Sequence, residues 1–259
     1  MTFARFLLYS FAFKNFNKIH VVLLAYLLGV PYLFKMYRGS DQRMTWDDYV
    51  RSTCLKLHIP LLATKIESTL FKNPLSFETG VSNFLVNTSG ELFVDVGAHA
   101  GRYTILLGDK YRQIIAIEPE PGNMQFLKSN VKYAGLTNVQ FLRCAVSDKD
   151  GYADFYLETS SDTHSLQKCS GKGKIRVKTL TLMSVIQDRW TDLVKVDVEG
   201  AEWLVLKGAE SLIDKIKSWV VELHNSERKK ELREWFISHN YSVRWLDFNH
   251  IYAWRNQKV

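Results

Sequence analysis

The chain has 259 residues, 46% of them hydrophobic, enough for one full α/β core and a small accessory segment, so a single catalytic domain is expected. Its formal charge of +7 could draw phosphate-bearing partners, but Lys and Arg are spread along the whole chain. The densest cluster, Arg228-Lys229-Lys230, sits beside Glu227, Glu231 and Glu234 as on a solvated helix face, and no basic stretch is interleaved with aromatics, which argues against a nucleic-acid module. Cys54, Cys144 and Cys169 are far apart and form no C-x-x-C pair, which excludes a disulfide framework and a thiolate zinc site and points to a reducing compartment.

Residues 3–34 are apolar and aromatic, with Arg5, Lys14, Lys18 and His20 among them and Lys35, Arg38 and Arg43 following. The cleanest run, Val21 to Phe34, contains Gly29 and Pro31 and is short against the roughly 20 apolar residues of a membrane span. No small-residue cleavage pattern follows it. Two readings stay open: a helix lying in a headgroup surface, which would make a cytoplasmic protein peripheral on the cytoplasmic face of a membrane, or a helical cap packed on the catalytic domain or on a second subunit of a homo-oligomer. Thr45 to Thr69 reads as one or two helices, and the boundary falls near Asn73-Pro74, giving an accessory segment over 1–73 and a catalytic domain over 74–259.

From there strand and helix patterns alternate, which calls for a mostly parallel sheet. Leu92 to Val96 runs into Asp95, Gly97 and Gly101 and then a helix to about Asp109: a strand, a glycine turn and a helix start, where open α/β sheets hold adenosine-bearing ligands. An acid stands where a pyrophosphate loop would place its first glycine, which disfavours a dianion and favours a positively charged cofactor. Gln113 to Glu118 is an apolar strand stopped by Pro119, and its terminal acid, about 20 positions after the turn, suits a ribose diol. Together these features favour S-adenosylmethionine over NAD. A helix over Gly122 to Tyr133 and a strand over Val139 to Val146 follow. Asp150-Gly151 marks a turn before an inserted hairpin strand, Tyr152 to Leu157. Further strands are expected over Ile175 to Leu182, Leu193 to Val198 and Trp219 to His224. Tyr241 to Leu246 and Ile251 to Trp254 close the chain as an antiparallel pair, because the link between them is short. Trp203, Leu206 and Leu212 read as core, and Trp190 and Trp235 as packing anchors.

Phe93 to Thr104, Glu118, the run Cys144 to Gly151 and above all Val194-Lys195-Val196-Asp197-Val198-Glu199-Gly200-Ala201-Glu202 resemble the FkbM family of methyltransferases. The resemblance covers about Phe77 to Trp254. It implies a Rossmann-like fold, a mostly parallel seven-stranded sheet with an antiparallel C-terminal hairpin, here with an N-terminal helical extension. It also implies S-adenosyl-L-methionine as cofactor and methyl transfer, most often to a hydroxyl of a sugar or small metabolite. The cofactor contacts then fall on Asp95, Val96, Gly97, Ala98, His99, Gly101, Tyr103 and Thr104 around the turn, on Glu118 and Pro119, on Ala145 and Val146, and on Asp197. Two positions depart from the family pattern: His99, where asparagine is usual, and Met183, where an aspartate often opens a helix.

Chemistry belongs at the carboxyl ends of the parallel strands. There Asp197 and Glu199, two positions apart, leave an extended chain on one face, and Glu222 and His224 repeat the spacing. Asp162 and His164 stand on a polar loop that could fold over the pocket. His224 is the first choice as catalytic base because its ordinary pKa lies near neutrality; Asp197 suits the methionine amino group or acceptor orientation, and Glu199 acceptor hydroxyls. The Asp197 and Glu199 carboxylates lack an evident third ligand in the sequence, so no metal is expected. The favoured function is O-methylation of a glycan, glycolipid or small metabolite. An RNA methyltransferase and a non-catalytic cofactor-binding subunit are the alternatives.

Overall fold

A computed structural model describes residues 78–157, 165–166 and 173–255, all within one compact unit spanning Leu70–Val259. The expected accessory segment and the loop carrying Asp162 and His164 lie outside the described residues. Among the described residues no helix is long and apolar enough to cross a membrane.

The elements run α1 (Thr79–Leu85), β1 (Gly90–Val96), α2 (Arg102–Leu106), β2 (Tyr111–Ile117), α3 (Pro121–Tyr133), β3 (Val139–Leu142), β4 (Ala145–Val146), β5 (Gly151–Leu157), β6 (Gly173–Leu180), α4 (Leu182–Ile186), β7 (Leu193–Val196), α5 (Glu202–Lys207), β8 (Ser218–Glu222), α6 (Lys229–Ser238), β9 (Ser242–Trp245) and β10 (His250–Trp254). The main sheet has seven strands in the order β3-β2-β1-β7-β8-β10-β9, parallel except for β10, which runs antiparallel to both neighbours. This is the expected α/β architecture with its closing hairpin.

The central strands are apolar throughout because both faces are covered. Along β1, Phe93 packs with Leu193, Val220, Val81 and Leu85 on one face, while Val94 and Val96 pack with Ile115, Val194, Val221 and Trp219 on the other. Trp219 is fully buried and donates its indole N–H to the Tyr241 hydroxyl at 3.1 Å, so the largest core side chain is also polar-satisfied. Trp190, expected to anchor packing, is instead 44% exposed.

Two expected strands are placed differently. Val139 to Val146 is not one strand: Cys144 N–H donates to Leu142 C=O in a three-residue turn that breaks it into β3, at the edge of the main sheet, and β4. The Ile175 to Leu182 segment forms β6, which leaves the main sheet altogether. β6 pairs with β4 in parallel and with β5 antiparallel, making a separate three-stranded sheet. The helix after it is capped by Thr181, whose hydroxyl accepts from Ser184 N–H at 3.1 Å, so Met183 is one exposed residue inside the first turn rather than the cap.

What positions the site is the seam between β1 and β7, which places Asp95 beside Lys195 and Val96 beside Val196. At the foot of the seam Asp192 accepts from Glu91 N–H at 2.7 Å and Leu92 N–H at 3.1 Å. At the head the chains are closest: a Cβ on Gly97 would lie 1.8 Å from the Asp197 carbonyl oxygen, and Gly97 already sits at φ +84°. Gly97→Ala therefore combines a left-handed residue with a backbone clash. It should lower unfolding free energy by at least about 3 kcal/mol, measurable by urea denaturation.

Candidate active site

The turn after β1 is tight and specific. Gly97, His99 and Gly101 all adopt positive φ, at 84°, 49° and 94°. His, like Asn, enters this region more readily than most side chains, which explains on backbone grounds why histidine can stand where the family usually has asparagine. Gly97 and Ala98 donate to the Ile117 carbonyl at 3.0 and 2.9 Å, tying the turn to the tip of β2. His99 N–H donates to Glu118 Oε2 at 3.0 Å and Glu120 N–H to Glu118 Oε1 at 2.9 Å. The acids at the tips of β1 and β2 are thus fixed relative to one another.

Asp95 is buried at 1% exposure, and its Oδ2 accepts from the Thr104 hydroxyl at 2.6 Å. Its Oδ1 is buried and has no hydrogen-bond partner among the described residues. Burial pushes the carboxyl above its usual range, opposed by the Lys195 ammonium and Thr104. A buried acceptor left unpaired is costly unless something fills it. A cationic amino group at this strand tip would complete its coordination, so the residues present fit a positively charged nucleoside cofactor.

The remaining expected contacts divide by burial. Ala98 lines the turn and Pro119 is half-buried beyond β2. Val96 is core, and Ala145 and Val146 are buried in the small sheet. Thr104 and Tyr103 are both buried. Thr104 serves Asp95, while the Tyr103 ring lies 4.5 Å from the Lys195 ammonium and its hydroxyl donates to Glu78.

On the other side of the seam, β7 ends at Val196, and Glu199 and Gly200 turn the chain through φ +53° and +98°. The extended geometry expected for Asp197 and Glu199 is therefore replaced by a left-handed turn, which still brings both carboxylates to His224. The His224 Nε2 is 3.0 Å from Glu199 Oε2, 3.8 Å from Glu222 Oε1 and 4.0 Å from Asp197 Oδ1. Its Nδ1 is 2.8 Å from Oε1 of Glu202, a buried carboxylate that also accepts from Gly200 N–H. Burial would lower the imidazole pKa, but the hydrogen bonds to Glu199 and Glu202 outweigh it and push it up to about 11. The ring thus carries its proton. Burial raises Glu199 above the usual carboxylate range. Asp197, which burial alone would raise, is held below it by Lys195 at 2.9 Å.

The sequence alone assigns no role to Lys195 or Glu202. Lys195 was legible as the one charged residue in the fully buried strand Leu193–Val196. Glu202 was not, because its value comes from a ring 22 positions away. His250, buried and 3.3 Å from Glu222, extends the same charged network into the C-terminal hairpin, with Asp247 on its other nitrogen.

Glu118 generates a pH prediction. Burial raises its pKa from 4.5 to about 7, despite backbone hydrogen bonds that oppose the shift. Between those values the folded chain holds a proton that the unfolded chain has released, so stability is full below pH 4.5 and falls as pH rises through 7. The loss amounts to about 3 kcal/mol. Glu118→Gln, which mimics the protonated form, should flatten this decline, as read by urea midpoints from acidic to mildly alkaline pH.

Comparison with known proteins places the sequence in a family. The methyltransferase FkbM domain profile matches residues 95–243. The chain is 29% identical over 164 residues to Methyltransferase 1 of Beauveria bassiana, covering 52% of this chain and 65% of that protein. It is 29% identical over 143 residues to the hexuronic acid methyltransferase AglP of Haloferax volcanii, covering 53% and 58%. It therefore spans less than two thirds of the length of these relatives. The crystal structure of an FkbM methyltransferase from Methylobacillus flagellatus superposes with a TM-score of 0.49 at 21% identity, covering 64% of this chain and 44% of that one. With the profile spanning more than half of its residues, the chain belongs to the FkbM methyltransferase family.

Proposed function

We propose that this chain is an S-adenosylmethionine-dependent methyltransferase that methylates an oxygen of a glycan, glycolipid or small metabolite. The carrying observation is the Oδ1 of Asp95 at the tip of β1, buried and without a hydrogen-bond partner among the described residues, beside Glu118 at the tip of β2. Family membership supports the reaction class, and a relative named for hexuronic acid supports a sugar acceptor. In this reading residues 74–259 form the catalytic domain and 1–73 an accessory segment that meets a membrane surface or another protein face.

The bound cofactor supplies an electrophilic methyl group on a positively charged sulfur. The chain's own groups do the rest. Asp95 would hold the amino end of the cofactor's amino-acid tail, and Glu118, whose two oxygens already accept from His99 and Glu120 N–H, the ribose hydroxyls. Gly97 and Ala98 are fixed by Ile117, so the turn is already in its binding conformation. Asp197, Glu199 and His224 receive the acceptor hydroxyl. Because His224 is protonated, proton uptake falls to the pair it forms with Glu199 rather than to a free imidazole. Such transfer contributes about 10²- to 10⁴-fold, and alignment of acceptor and donor several kcal/mol more, up to about 7–11.

The test is direct. Wild-type chain should bind S-adenosylhomocysteine in a calorimetric titration, and Asp95→Asn should weaken binding by about 10- to 100-fold, the usual worth of a charged hydrogen bond. Transfer of labelled methyl groups should go to glycan or glycolipid fractions and not to RNA. Undiminished affinity in Asp95→Asn removes the cofactor assignment, and label in RNA alone removes the acceptor assignment.

A further inference from the structure

The three side chains that the methyl-transfer reading gives to the acceptor have a second capacity, which that reading does not by itself require. Asp197, Glu199 and His224 each offer one ligand atom, and all three atoms lie within 4.8 Å of one another. The sequence showed two carboxylates without a third ligand; the fold supplies the imidazole. We propose that Asp197, Glu199 and His224 bind a divalent cation of the Mn²⁺ type beyond the carboxyl ends of β7 and β8.

Three observations converge. The first is spacing: donors held about 2.1 Å from one octahedral ion stand about 3.0 Å apart on adjacent positions and about 4.2 Å apart on opposite ones. The Nε2 of His224 is 3.0 Å from Glu199 Oε2 and 4.0 Å from Asp197 Oδ1.

The second lies outside the three ligands. Glu202, with its side chain only 2% exposed, takes the Nδ1 side of the ring at 2.8 Å and leaves Nε2 toward Asp197 and Glu199. A carboxylate behind a histidine, fixing the tautomer that presents the other nitrogen, is the usual support of a metal-bound imidazole. The third is charge. Four carboxylates lie within 4.0 Å of the His224 ring, those of Asp197, Glu199, Glu202 and Glu222, and the ammonium in contact with them is that of Lys195, on Asp197. Carboxylates thus outnumber cationic groups around the ring, an arrangement that favours a doubly charged ion. The donor set, one imidazole and two carboxylates, suits Mn²⁺ or Fe²⁺ better than Ca²⁺.

The three ligand side chains are each about one quarter exposed, so an ion here keeps positions open to solvent. Only the consequence of this rests on the methyltransferase reading: an acceptor hydroxyl on an open position would lose its proton more readily, and activation would pass from the Glu199–His224 pair to the ion.

Ion binding itself tests the site. Full-length protein stripped with a chelator and titrated with Mn²⁺, free ion being read by electron paramagnetic resonance, should take up one equivalent. His224→Gln and Asp197→Asn should abolish uptake, and Glu202→Gln should weaken it about 10- to 100-fold while S-adenosylhomocysteine affinity stays unchanged. Independently of any variant, Mn²⁺ should broaden the ring resonances of His224 in the histidine-labelled wild-type protein and spare those of His239. Absence of uptake at millimolar Mn²⁺, uptake unchanged by His224→Gln, or a His224 signal that stays sharp overturns the proposal. Methyl transfer undiminished by chelator, together with no Mn²⁺ uptake, removes the ion and leaves the methyltransferase reading intact. Mn²⁺ uptake without S-adenosylhomocysteine binding does the reverse.

Discussion

The site depends on one buried ammonium. Lys195 is 1% exposed in a strand otherwise made of Leu and Val, and it lies 2.9 Å from Asp197, opposite Asp95 across the β1/β7 seam and over the Tyr103 ring. Burial would strip its proton, but Asp197, with Tyr103 and Asp95 adding to the effect, keeps it charged. Its charge in turn holds Asp197 ionised and tempers the upward shift of Asp95. Removing one member of such a group leaves the others buried and uncompensated, typically at a cost of about 3–5 kcal/mol. A single cation thus allows two acids to sit on neighbouring strands in the dry part of the sheet.

Around that centre the charged groups separate into two sets with different physical tasks. Asp95 and Glu118 are fixed by Thr104 and by the backbone of the glycine turn, so they are rigid and nearly closed to solvent. Asp197, Glu199 and His224 are held by Lys195, by a left-handed turn and by Glu202, and they remain partly open. A rigid pair beside an open trio is what a cleft needs if one ligand is to be held in a constant pose while another enters and leaves.

Much of this was legible in the sequence because it is written in short-range patterns. The apolar runs of β1, β2, β7 and β8 and the turn at Asp95, Gly97 and Gly101 each depend on neighbours within a few residues. The antiparallel hairpin was readable from its short link, which Asp247 closes by accepting from Asn249 and His250 N–H groups. What escaped was set by long-range pairing. The break at Arg143–Cys144 and the departure of β6 from the main sheet follow from which edge each strand meets, and hydropathy does not encode that. The charge state of His224 escaped for a similar reason. An isolated histidine titrates near neutrality, but this one faces carboxylates from the turn after β7, from the start of α5 and from the end of β8.

The order of the strands carries one more consequence. β1 is bordered on one side by β2, which follows it closely in sequence, and on the other by β7, about a hundred residues later. The glycine turn can therefore take shape early in synthesis, held by Glu118, while Asp95 still waits for its ammonium. Only after β7 slots in beside β1 does the sheet gain Lys195 and the turn that carries Asp197 and Glu199, so a nascent or truncated chain ending before that strand would leave Asp95 without its neighbouring cation however well its first half had folded.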